Sequence, residues 1–397
     1  MPKSGLHQVS VLLGLSLFLT GFAAAAVAPY RAIVAIDGLG LSNATYAWIM
    51  TVSALATAAA SVAMGSISDR AGDRRRLVIF SAALGSLAYG LIYLFPTPVV
   101  YIIAFCVILP FGGALFSLSF SFSRAFYDRN RPEQAEFMTS VLRTVFSAAW
   151  VVVPPVAGYI ASAWTVFDVF AIAALAYIGC IAIFVLLLRR PDAAIPLPPR
   201  PDAGGTRAFW RVLPAGRLIG IGGVVLVRIA LMLHLTTLPL ALVRDFGASL
   251  TDVGFTAAFA AGLEVPLMLG WGLVAARWPK ERVLVLNAAI YGLYMLLIVV
   301  ARSATDVLWL QILNAIATAA LLSITISYMQ DTIKGRLGLS TSLLDVVTVV
   351  ASLAAAAVFG LFSTETGYLL VFLVGAALSF AGAGLIALST TPRWRAE

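Results

Sequence analysis

Apolar residues in this chain come in long runs broken by short polar stretches. The runs lie near 9–36, 43–67, 77–95, 98–123, 138–163 and 165–188, and resume near 217–243, 250–276, 282–301, 305–330, 337–363 and 366–390. Each can cross a hydrocarbon core of ~30 Å at 1.5 Å per residue. In lipid the backbone N–H and C=O groups must be satisfied within the span, which selects the helix. The pattern predicts an all-α membrane protein of twelve transmembrane helices. The Pro-, Gly- and Arg-rich break at 189–216 divides it into two six-helix bundles, 1–188 and 217–397.

Composition agrees. Hydrophobic residues make up 61% of the chain and charged residues 11%, against roughly a quarter charged in an ordinary soluble domain. A soluble core could not absorb that much apolar side chain, whereas lipid is itself apolar. The 32 glycines and 18 prolines, many within the runs, are tolerated where neighbouring helices re-satisfy the backbone. The net charge of +8 does not point to nucleic acid, because the basic residues sit in short loops without interleaved aromatics. Cys106 and Cys180 lie inside apolar runs, so neither a disulfide framework nor a zinc site is expected. The first run resembles a signal peptide in having Lys3 before it and the small-residue stretch from Ala23 to Ala28 within it. At 9–36 it is too long for a signal core, and a retained first helix is expected.

Basic residues orient the chain. With the N-terminus cytoplasmic, 21 of the 26 fall on the cytoplasmic side, only Arg244 and Arg302 lie opposite, and three are intramembrane. That asymmetry satisfies the positive-inside rule with both termini cytoplasmic. The halves also echo each other. Arg74-Arg75-Arg76-Leu77 recurs, 206 positions on, as Lys280-Glu281-Arg282-Val283, as in transporters built from repeats around a mid-membrane site.

Between the second and third runs stands Gly65-Ser66-Ile67-Ser68-Asp69-Arg70-Ala71-Gly72-Asp73-Arg74-Arg75-Arg76. It resembles the signature loop of major facilitator transporters: a Gly, then Asp-Arg-x-Gly, then paired basic residues. In that reading Gly65 allows close helix approach and Asp69 faces a helix N-terminus. Arg70, Arg74 and their neighbours pair with carboxylates such as Asp128, and together with Gly72 of the motif they latch the cytoplasmic side. Asp73 departs from the pattern, which has a basic residue there. Within the superfamily the chain resembles bacterial sugar efflux transporters, through Met138–Arg143, Ala149-Trp150-Val151, Pro154-Pro155, Ala261–Pro266, Gln311–Ala315 and Gln330-Asp331…Gly335-Arg336. The resemblance implies the major facilitator fold and proton-driven export of sugars or small glycosides across a bacterial inner membrane.

A charge at mid-membrane costs ~2.5–3.5 kcal/mol on insertion scales, so each embedded one needs a reason. The embedded set is Arg31, Arg143, Arg228, Glu264 and Asp345, with His234 expected as a packing or hydrogen-bonding residue. Helical spacing puts Gln311, Asn314, Thr318 and Thr325 on one stripe, Arg143, Ser147, Trp150 and Pro154 on another, and Thr341, Asp345, Thr348 and Ser352 on a third. By the superfamily arrangement these helices line a central cavity. Arg143, Gln311 and Asn314 would then bond sugar hydroxyls, while Trp150 and Trp271 stack on apolar sugar faces. Interhelical hydrogen bonding is the competing role for the 311–325 stripe. Glu264 is the expected proton carrier, Arg228 lies level with it as a partner, and Asp345 is the rival carrier. Asn287 and Tyr291, on a peripheral helix, are left out of the site.

These features point to a secondary transporter working as a monomer in the bilayer, with a sugar or glycoside and protons as its ligands. A proton-coupled multidrug or other small-molecule exporter is the alternative, and the amides at 311 and 314 argue for the sugar. No metal-spaced His or Cys cluster and no Gly-Lys-Ser/Thr phosphate loop occurs, so neither an enzyme nor any cofactor is expected.

Overall fold

The computed structural model describes residues 3–70, 73–190, 193, 215–332, 337–364 and 367–391. Among them are twelve helices long and apolar enough to cross a membrane. They are α1 (Leu6–Val27), α2 (Asn43–Ser68), α3 (Arg74–Leu94), α4 (Pro98–Asn130), α5 (Pro132–Ala163) and α6 (Asp168–Leu188). The rest are α7 (Gly216–Arg244), α8 (Leu250–Ala275), α9 (Lys280–Val300), α10 (Ala304–Asp331), α11 (Leu343–Phe362) and α12 (Leu369–Ser389). Most of the expected linker, 189–216, lies outside the described residues.

Two runs depart from a single straight helix, each at a proline. The first span ends at Val27, and the rest of the run forms a helical turn at Arg31–Ile33 and a π turn at Val34–Gly38. Pro29 has no N–H and disfavours helix in the residue before it, so the span is shorter than the run. In α4 a π turn at Ala104–Ile108 precedes Pro110. The Leu109 N–H reaches back five residues to Ala104 O. In that register Phe105 O would face Pro110, which has no hydrogen to offer. The Ser53 hydroxyl donates to Phe105 O instead, at 2.8 Å, as the backbone accounting in lipid requires.

The chain divides into two compact units, Met1–Leu41 with Val52–Pro201, and Ser42–Thr51 with Asp202–Glu397. In unit 1, α1 packs along α5 and α6, and α3 packs along α6 and α4. In unit 2, α7 packs along α11 and α12, and α9 along α12 and α10. The same pairing therefore recurs six helices on. Unit 2 also holds the start of α2: Asn43 Nδ2 donates to Thr364 O at 3.0 Å, and the Tyr368 hydroxyl donates to Asn43 Oδ1 at 3.2 Å.

Glycines make the repeated crossings possible. Gly85 on α3 lies under the Tyr177 ring of α6, and its counterpart Gly292 on α9 lies under the Phe380 ring of α12. At the α7–α12 crossing the backbones themselves meet. A Cβ on Gly223 would stand 2.7 Å from Gly382 O, and one on Gly382 would stand 2.7 Å from Gly223 O. Without an aqueous drive between spans, close packing of this kind holds the helices together. Gly223→Ala is expected to lower stability by ~1–3 kcal/mol, the usual cost of overpacking, because a carbonyl cannot rotate away as a side chain can. Thermal unfolding in detergent would show a lower melting temperature, whereas Gly270→Ala, with nothing within 4 Å of the added Cβ, should be nearly neutral.

Candidate functional site

A connected intramembrane polar group lies in unit 2, where α8 packs on α10, and α10 on α9. Glu264 sits fifteen positions into α8, half-buried, and its Oε1 accepts a hydrogen bond from the Thr318 hydroxyl at 2.6 Å. The same hydroxyl lies 2.8 Å from the backbone oxygen of Asn314, one turn back along α10. From there a chain of side chains runs away from Glu264. Asn314 Nδ2 donates to Gln311 Oε1 at 2.8 Å, and Gln311 Nε2 donates to the Tyr294 hydroxyl at 2.9 Å and to Val307 O at 3.1 Å. The Tyr294 hydroxyl in turn lies 2.7 Å from His234 Nε2 on α7. Both Gln311 amide hydrogens are committed, so the tyrosine hydrogen is the one available for His234, which then accepts at Nε2 and carries its own hydrogen on Nδ1. Donors and acceptors in such a chain polarise one another in one direction.

Several expected residues take different positions. Gln311 and Asn314 are 1% and 4% exposed, so their amides are bonded inside the bundle: Gln311 reaches across to Tyr294, Asn314 bonds to Gln311 within α10, and Asn314 Oδ1 lacks a partner. Arg228 is half-buried on α7 and forms no ion pair with Glu264. Asp345 is exposed on α11. Trp271 is half-buried, and its Nε1 donates to Ile316 O at 2.9 Å, which fixes the indole plane against α10. His234 has the hydrogen-bonding role expected of it. Tyr294 was missed. Asn287, Tyr291 and Tyr294 are all 0% exposed and share one face of α9, a polar-aromatic stripe at i, i+4 and i+7 that periodicity alone could have flagged.

In unit 1, Arg143 is exposed on α5 with its guanidinium carbon 5.3 Å from the centre of the Phe120 ring, a cation–π contact. Trp150, two turns on, is half-buried.

The signature loop is partly described. Gly72 and the side chains of Asp69 and Arg70 lie outside the described residues. Gly65 is exposed, and nothing lies within 4 Å of where its Cβ would be. Arg74 is half-buried and makes no ion pair among the described residues. Asp128 is held by Arg124 of its own helix at 3.1 Å, not by the loop arginines. The interhelical pairing expected of the loop occurs in the second repeat, where Lys280 at the start of α9 meets Asp331 at the end of α10 at 2.6 Å.

Asp73, the position that departs from the motif, has a clear structural task. It caps α3 by accepting from the Arg75 N–H at 3.0 Å, and both its oxygens accept from the Arg75 guanidinium. Arg75, 6% exposed, also donates from Nη1 to Leu187 O at 2.7 Å and to Arg190 O at 3.1 Å. A cation thus satisfies the Leu187 carbonyl in the last turn of α6, where the helix dipole is negative, and the Arg190 carbonyl just beyond it. The bonded guanidinium holds the Asp73 carboxyl below its usual range, against a smaller opposing effect of burial.

Comparison with known proteins places this geometry in context. The family description "Major Facilitator Superfamily" matches residues 13–222 and 220–397. The chain is 29% identical to Sugar efflux transporter B of Salmonella typhimurium, over 89% of each chain. It is 27% identical to Sugar efflux transporter C of Escherichia coli, over 98% of this chain and 97% of the other. A relative from Deinococcus radiodurans is 29% identical over 98% of each chain. Among solved structures, the nucleoside transporter NupG superposes with a TM-score of 0.80 at 11% identity, over 96% of this chain and 98% of that one. The POT family transporter PepTSo superposes with a TM-score of 0.81 at 11% identity, over 98% and 99%. At that identity the two structures show the fold alone. All of these are transporters and none is an enzyme.

The Asp73–Arg75 pair predicts a pH dependence. A carboxyl whose folded value is depressed adds stability that is fully present above its unfolded value of ~3.9 and is lost as pH falls through the folded value. Asp73→Asn keeps an N-cap acceptor and removes the charge. Its melting temperature should therefore lie below wild type at pH 7 and at pH 5, with the gap closing only below roughly pH 4. A gap that is already closed at pH 5 would show that the charge contributes nothing.

Proposed function

The chain belongs to the Major Facilitator Superfamily, and from that premise we propose that it exports sugars or small glycosides by alternating access, driven by protons moving inward. As a multi-pass membrane transporter it acts on a small molecule in a bilayer setting. The relatives named sugar efflux transporters, matched over most of both chains, support the substrate class. The observation that carries the coupling is Glu264, a carboxyl in the middle of a spanning helix bonded to a neutral hydroxyl and not to a cation. A carboxylate locked to an arginine would stay ionised through the cycle. One facing a neutral donor can gain and lose a proton.

In this reading Arg143 supplies donors to sugar hydroxyls, and Trp150 and Trp271 supply stacking faces. Arg228 is the intramembrane cation that would answer Glu264 in another conformation, and Asp345 is the second candidate carrier. The loop from Gly65 to Arg76, with Asp69, Arg70, Gly72 and Arg74, acts as a cytoplasmic latch. Its engagement with Asp128 requires the Arg124 bond to open. Both termini are cytoplasmic, the membrane is a bacterial inner membrane, and the working unit is the monomer. Export of drugs or other small molecules remains the second reading, favoured by one observation: Gln311 and Asn314 are committed inside the bundle, so the amides no longer single out a polyhydroxylated substrate.

Purified protein in proteoliposomes under an imposed pH gradient tests the proposal. Wild type should accumulate labelled disaccharide or glycoside against the inward proton gradient. Glu264→Gln should keep sugar exchange while gradient-driven accumulation falls to the no-gradient control. Transport of cationic drugs with no sugar movement would replace the substrate, and full drive in Glu264→Gln would remove that residue from the coupling role.

A further inference from the structure

The Thr318 hydroxyl faces two acceptors and owns one hydrogen. Glu264 Oε1 lies 2.6 Å from its oxygen and Asn314 O lies 2.8 Å away. Both are within hydrogen-bond range, yet the hydroxyl can donate to only one at a time. We propose that Thr318 is a positioning residue that turns its hydroxyl between Glu264 and the Asn314 carbonyl as Glu264 loses and gains its proton. This inference rests on the reading of Glu264 as the proton carrier.

The two arrangements follow from donor counting. With Glu264 ionised, the hydroxyl donates to the carboxylate, a charge-assisted bond, and Asn314 O keeps only its helical partner. When a proton from the medium binds Oε1, the new carboxylic O–H donates to Thr318 Oγ1. The threonine hydrogen then swings to Asn314 O. One proton is added and every donor keeps an acceptor, while no heavy atom needs to move. In lipid an unsatisfied donor is costly, so a carboxyl that changes state there needs a neighbour able to serve both states. Threonine does this because its hydroxyl both donates and accepts. A lysine or arginine can only donate and would hold the carboxylate ionised.

The surroundings favour this role. Among titratable side chains on the elements packed against α8, those away from helix ends are Arg228 and His234 on α7 and Tyr291 and Tyr294 on α9. None is bonded to Glu264, and the titratable groups of α10, Asp306, Tyr328 and Asp331, lie towards its ends. Thr318 is also held in place from behind. It is 5% exposed, and Asn314, whose carbonyl is the second acceptor, is fixed by its bond to Gln311.

The test compares Thr318→Val, which keeps the shape without the hydroxyl, with Thr318→Ser, which restores it. Proteoliposome flux would be read across pH, alongside Glu264→Gln. Thr318→Val removes a donor to the charged form, so its pH–flux midpoint should move to higher pH by about one unit. Gradient-driven accumulation should fall relative to exchange, and Thr318→Ser should return both to wild type. In acid-minus-alkaline infrared difference spectra, the carboxylic C=O band that is absent in Glu264→Gln should move to higher frequency in Thr318→Val, because its O–H loses an acceptor. Should the valine variant not fold, Thr318→Ala is read the same way. An unchanged midpoint and band in the hydroxyl-free variant, with Glu264→Gln still uncoupled, overturns the switch and leaves Glu264 as carrier. Full drive in Glu264→Gln instead overturns the carrier, and Thr318 with it.

Discussion

Backbone N–H and C=O groups in the spans must find their partners within the protein, because hydrocarbon offers none. That single constraint accounts for the helices and also for their irregularities. Pro110 deprives a carbonyl of its partner, a π turn changes the register, and Ser53 supplies the missing hydrogen. At the end of α6 the same need is met by a cation. Arg75, oriented by the departing motif residue Asp73, serves the Leu187 carbonyl and the Arg190 carbonyl just beyond the helix. What reads as a defect in a signature is a cap for two helices at once.

The polar stripe of α10 follows the same rule. Three helices of unit 2 meet at a chain running from His234 through Tyr294, Gln311 and Asn314 to the carbonyl beside Thr318. Its members are tied to one another and so are poor ligands for anything that must come and go. They are better suited to holding the helices around Glu264 in a defined geometry. In the proposed coupling role the Glu264 carboxyl needs a neighbour that serves both of its states, and a neutral hydroxyl can both donate and accept where an arginine can only donate.

The two halves share packing more closely than they share charge. Helix pairing recurs six helices on, and Gly85 under Tyr177 has its echo in Gly292 under Phe380. Backbone proximity is demanded by the crossings themselves, so both copies keep it. The ion pairs at the ends differ: Lys280 reaches across to Asp331, whereas Asp128 is held within its own helix by Arg124. Exposed pairs of this kind contribute little to stability, which leaves them free to diverge or to exchange partners.

The span count, the class and the superfamily were legible in the chain because each rests on local information. A run long enough to cross lipid is readable one segment at a time, and so is a loop motif. Glu264 was legible for the same reason, since a lone carboxyl in an apolar run is conspicuous wherever it lies. Its bonding was not. The expected partner Arg228, placed by counting residues along a helix, is unpaired with it, and Thr318 from α10 holds the carboxyl. Spacing could show the stripes of α9 and α10 but not that they face each other, with the Gln311 amide bonded to the Tyr294 hydroxyl. Depth along a helix is a property of sequence, since each residue rises 1.5 Å. Which face of one helix meets which face of another is set by close contacts between residues far apart in the chain, and only the folded bundle decides it.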